Sequence, residues 1–118
     1  MESILTSIKK LLGITEDYTQ FDQDIIMHIN SVFSILNQLG VGPPEGFSIS
    51  DNFAVWNNFI LDNYKQNLVK TYVYLRVRLM FDPNQPSAVI ESIKNQISEL
   101  EWRIKVNAET ESDISDIY

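Results

Sequence analysis

Apolar residues recur at three- and four-residue spacings along most of this chain, which is the helical period. Ile4, Leu5, Ile8, Leu11 and Leu12 predict a first helix over residues 2–12. Glu2 at its start and Lys9-Lys10 at its end suit the helix dipole, and Gly13 offers a left-handed stop. After a polar stretch, Ile25, Ile29, Val32, Phe33 and Leu36 form the stripe of a second helix, with Asp22 expected as its N-cap and Gly40 as its end. Gly42-Pro43-Pro44-Glu45-Gly46 cannot continue a helix and predicts a rigid turn. Phe47 to Ser50 alternates apolar and polar, as a short extended segment does. Asp51 is then expected to cap a short helix carrying Phe53, Trp56, Phe59 and Ile60.

The carboxyl-terminal half is patterned more strongly. Leu68, Tyr72, Leu75 and Leu79 lie 4, 3 and 4 apart, widened by Val69, Val73 and Met80, and predict a helix over residues 63–81. Thr71-Tyr72-Val73-Tyr74 favours strand by propensity, but the helical period runs straight through it. Asp82 precedes Pro83, which drives it out of the helical region. Ile90, Ile93, Ile97, Leu100 and Ile104 then mark a last helix from about Pro86 to Ala108. The short link between these two helices predicts an antiparallel hairpin. Residues 109–118 hold four acids and no base, too few apolar groups for a core of their own. The expected architecture is all-α: a small bundle of four to five helices over residues 1–108, closed by the hairpin, with an extended acidic tail over 109–118.

With 118 residues and 44% apolar content the chain is one globular domain. Sixteen acidic residues against nine basic give a net charge of −7. Nucleic-acid binding draws its affinity from cations that neutralise phosphates, so a DNA-binding module is disfavoured, and so is an anionic membrane surface. No secretory signal or membrane span is expected: the start is acidic, and the apolar stretch from Tyr72 to Phe81 is cut by Arg76 and Arg78.

The absence of cysteine removes disulfides, thiolate metal sites and thiol nucleophiles. His28 is the sole histidine, on the edge of the second helix's stripe, and Asp24 gives it only one further metal ligand. Glu16, Asp17, Asp22 and Asp24 lack the spacing of a calcium loop and read as dipole complementation. No phosphate loop, nucleophile elbow or zinc spacing occurs. The expectation is therefore no catalytic residue, no cofactor and no metal. Trp102 lies about 200° around its helix from Leu100. It is either a core residue of a further layer or an anchor for a partner. Arg76 and Arg78 either pair within the chain or form a basic strip for a neighbour.

The stretches Ile8-Lys-Lys-Leu-Leu-Gly-Ile14, Phe21-Asp-Gln-Asp-Ile-Ile-Met-His-Ile-Asn-Ser-Val32 and Leu39-Gly-Val-Gly42 resemble the amino-terminal helix pair of the small head–tail connector proteins of long-tailed bacteriophages. Tyr74-Leu-Arg-Val-Arg-Leu-Met-Phe-Asp-Pro83 and Ile97-Ser-Glu-Leu-Glu-Trp-Arg-Ile104 are similar to that family's closing hairpin. The resemblance spans most of residues 4–106, and Phe81-Asp82-Pro83 and the run from Glu99 to Arg103 are its most distinctive parts. It implies a structural virion protein, made in the host cytoplasm and found at the head–tail interface. Its copies, usually twelve, form a ring below the portal protein. The ring extends the DNA channel without binding DNA specifically and docks a tail-side neck protein. In relatives the carboxyl-terminal segment reaches the portal. Arg76, Arg78, Trp102, Ile114, Ile117 and Tyr118 are the expected contact residues. The alternative reading is a soluble helical adaptor or regulatory module that binds one partner protein.

Overall fold

A computed structural model describes the backbone of residues 2–117 and the side chains of residues 2–108. It contains five helices: α1 (Ile4–Leu11), α2 (Asp22–Gln38), α3 (Trp56–Phe59), α4 (Asn63–Phe81) and α5 (Ser87–Ile117). Among the described residues there is no β-sheet. The only extended pairing is a single antiparallel bridge between Ser3 and Val55.

Helix α4 is the centre of the bundle and packs against α1, α2 and α5. Its apolar residues point more than one way to do so. Val69, Val73 and Val77 are buried on one side, and Tyr72 and Leu75 turn toward the next. The 4-3-4 stripe of Leu68, Tyr72, Leu75 and Leu79 is thus only part of its buried surface, because Leu68 and Leu79 are only partly covered. The α5 stripe faces inward as its spacing predicts: Ile93, Ile97 and Ile104 are buried. Each fully buried aliphatic side chain contributes roughly 1.5–3 kcal/mol before entropy costs. An aromatic part of the core joins α2 to α3 and the segment before it, where the ring of Phe33 meets those of Phe47, Trp56 and Phe59.

Three local features differ from the sequence expectations. Asp22 does not cap α2. It is the first helical residue, after Phe21, and its carboxylate reaches back to the Lys9 ammonium at 2.8 Å. The buried ammonium requires a counter-charge, and the Ile25 amide that Asp22 would cap donates instead to the Phe21 carbonyl at 2.9 Å. Asp51 accepts from the Phe53 amide in a local turn, and the short helix begins only at Trp56, which leaves Phe53 80% exposed. Finally, α5 does not give way to an extended tail near Ala108 but continues to Ile117. From Ser87 to Ile117 there is neither glycine nor proline to stop it.

The caps that do form are conventional. Ser3 accepts from the Thr6 amide for α1, and Asp62 accepts from Tyr64 and Lys65 for α4. The extended segment around Ile49 is held by one side chain. The Asn30 carboxamide donates to the Ile49 carbonyl at 2.9 Å and accepts from its amide at 2.8 Å.

Candidate functional site

The hairpin of α4 and α5 is fixed at one point by a three-residue cluster. The Tyr72 hydroxyl donates to the Glu101 carboxylate at 2.9 Å and accepts from Arg76 Nε at 2.7 Å. Arg76 Nη2 closes the triangle by donating to the same Glu101 oxygen at 3.0 Å. Burial and the hydrogen bond to Glu101 push the Tyr72 hydroxyl up to about 12. For Glu101, burial favours the protonated acid, but the hydrogen bonds from Arg76 and Tyr72 outweigh it and hold the carboxyl below its ordinary range. Arg76 is therefore occupied within its own chain.

Arg78 is arranged differently. It donates to the Tyr74 hydroxyl at 3.3 Å and to the Gln85 side chain at 2.9 Å. Gln85 in turn donates to the Asp82 carbonyl, so Arg78 braces the Phe81-Asp82-Pro83 turn. Both acceptors of Arg78 are neutral, and those bonds orient its charge without cancelling it. Helix α4 carries Lys65, Lys70, Arg76 and Arg78 and no acid, which makes it the basic element of an acidic chain.

Trp102 is 66% exposed, on the side of α5 directly away from its buried stripe. It adds nothing to this protomer's core. Val106, one turn on, is also exposed. Ile114, Ile117 and Tyr118 lie outside the residues whose side chains are described. Of the six expected contact residues, the structure thus brings Arg76 and Arg78 to α4 and sets Trp102 apart on the outer side of α5.

One important residue is absent from the sequence-based expectations. Lys9 is only 2% exposed. Its ammonium donates to the Glu16 carbonyl at 3.0 Å and the Tyr18 carbonyl at 2.7 Å, and pairs with Asp22. It pins the loop between α1 and α2 to the body. Its position inside an apolar helix face, after Leu5 and Ile8, was the available signal.

A cleft of about 280 Å³ opens between the Gly40–Gly42 turn, Phe59 and Ile60, and the facing parts of α4 and α5 at Leu68, Val69 and Ile104. Its walls are apolar apart from Lys65 and Asn107, and it holds no pairing of nucleophile and base. His28 is half-buried on α2. Among the described residues no group of three or more His, Asp or Glu side chains could hold a metal ion. Among the described residues no helix is long and apolar enough to cross a membrane.

The arrangement is a filled core, a brace at the hairpin turn and a bulky aromatic facing outward. No curated protein and no solved structure matches the chain significantly. A family model described as phage connector protein matches residues 4–111, which takes in α1 to α4 and most of α5. By that match the chain belongs to the phage connector proteins.

Proposed function

We propose that this chain is a structural protein of the virion neck. Copies of it form a ring between the portal and the tail, extend the DNA channel and provide the seat for the next tail-side protein. The family match over residues 4–111 carries this reading. A closed ring needs two different faces on each protomer that meet head to tail. The outward Trp102 supplies an aromatic anchor for one such face, and the oriented charge of Arg78 supplies a polar contact. Ile114, Ile117 and Tyr118, in the carboxyl-terminal segment, are proposed to engage the portal, as that segment does in relatives. The ring is taken to hold twelve copies, as is usual among those relatives. The net charge of −7 suits a conduit, because an acidic wall repels phosphates and DNA slides past without specific contacts. The chain is made in the host cytoplasm and ends in the particle.

The test is the mass of the purified full-length chain, alone and mixed with its portal protein, with the assemblies viewed by electron microscopy. A ring stacked coaxially on the portal is the expected result. A chain that stays monomeric under both conditions while binding a single partner helix would instead establish the adaptor reading.

A further inference from the structure

We infer that neighbouring copies meet edge to edge, with the outer face of α5 in one copy lying against the outer face of α2 in the next. This rests on the ring reading and names the two surfaces that reading leaves open.

The bundle presents two unlike edges because α4 lies between α2 and α5. The whole measures 48 × 34 × 20 Å, and its middle dimension accommodates three helices at the usual spacing of about 8–10 Å. Helices α2 and α5 run in the same direction on either side of α4. At one end the ring of Phe21 meets that of Phe81, next to the start of α5. At the other, Gly40 lies beside Ala108, 3.7 Å from where a Cβ would stand.

The outer face of α2 carries Gln23, Asp24, Met27, Ser31, Ser34 and Gln38, all exposed. Met27 is 58% exposed. The outer side of α5 carries Trp102, with Lys94 and Lys105 flanking it.

Charge selects a second copy as the occupant. Helix α2 has two acids and no lysine or arginine. Asp22 is taken by Lys9, which leaves Asp24 as the charge of that edge. On α5, Glu99 is taken by Arg103 and Glu101 by Arg76. What remains along its described outer surface is Lys94 and Lys105 against Glu91, a positive balance in a chain of net charge −7. Over this part of the two edges, Asp24 of one copy therefore has Lys94 of the next to face.

The heights agree as well. Rotation about an axis along the helices keeps every residue at its own level. The two end contacts place Lys94 level with Met27, about one helical turn from Asp24. They place Trp102 level with Ser34, between the small Ser31 and the flexible Gln38. The indole lies on that open ground, and its N–H has the serine hydroxyls as acceptors. Because the edges differ, each contact adds a copy in one direction, and a turn per step that divides the full circle without a rise closes the ring.

The chain has no cysteine, so thiols can be placed at will. Full-length protein carrying both Asp24→Cys and Lys94→Cys, alone and assembled with its portal protein, is treated with a short thiol-reactive bifunctional crosslinker. The expected result is a ladder of covalent multimers, with each single variant remaining one chain long. Covalent dimers from either single variant would show like edges meeting and overturn the inference. Rings of normal mass that give no ladder would overturn it too, while leaving the ring reading standing. Unmodified protein that never assembles, with or without the portal, would sink both.

Discussion

At the scale of single residues, the bundle relies on two polar contacts that its hydrophobic pattern does not reveal. Lys9 is a buried cation with two carbonyls and one carboxylate around it. Removing one partner of such a pair leaves the others desolvated and costs about 3–5 kcal/mol. Lys9→Met should fall near the lower end of that range, because Asp22 retains some access to water. Urea denaturation measures the loss, and an unchanged midpoint would mean that the loop between α1 and α2 is held some other way. Tyr72 makes a second, pH-dependent contribution. The folded state keeps its phenol protonated up to about 12, whereas in the unfolded chain the proton leaves near pH 10. The stability from this group is complete below about pH 10 and declines as pH rises toward 12. Tyr72→Phe should flatten the alkaline limb of a stability–pH curve between those limits. A limb of the same steepness in the variant would assign the effect to another group.

At the scale of elements, the turns are unequal in what they tolerate. Gly13 and Gly42 both have φ in the left-handed region, at 83° and 86°. A Cβ at Gly13 meets nothing within 4 Å, but one at Gly42 would stand 2.4 Å from a ring carbon of Phe59. Gly13→Ala should therefore cost about 1–2 kcal/mol from backbone strain alone, and Gly42→Ala clearly more, because the Phe59 ring sits within the aromatic cluster and has little room to retreat. Paired thermal melts decide the order. The helices themselves were legible wherever one face dominates, as in α5, where Ile93, Ile97 and Ile104 all turn inward. Reading was poorer where a residue had a rival partner. Asp22 reads as a cap, but the cap is a weak bond beside the buried ammonium of Lys9, far upstream in the chain, and no local pattern reports that. Phe53 looked like core, yet its turn carries it into solvent. Trp102 was ambiguous because a helical wheel gives its direction but not whether another layer lies there. The structure leaves that side open.

At the scale of the whole molecule, the expectation is that the folded body can do without its carboxyl-terminal end. The described core draws on residues 4–104, so a chain ending at Ala108 should fold with nearly the parent melting temperature. Under the proposed function it should also fail to attach to the portal. Co-sedimentation with portal particles checks this, and normal attachment by the truncated chain would place the contact elsewhere. The body has a further property that follows from the Asn30 carboxamide. Both hydrogen-bonding groups of Ile49 are consumed by that one side chain. At this residue the straight backbone thus has no free donor with which to recruit a strand from another molecule. At the crowding that builds an ordered particle, an open backbone edge would invite fibrous clumping. Here one asparagine interrupts that edge at its middle residue, and a strand arriving there would first have to displace it.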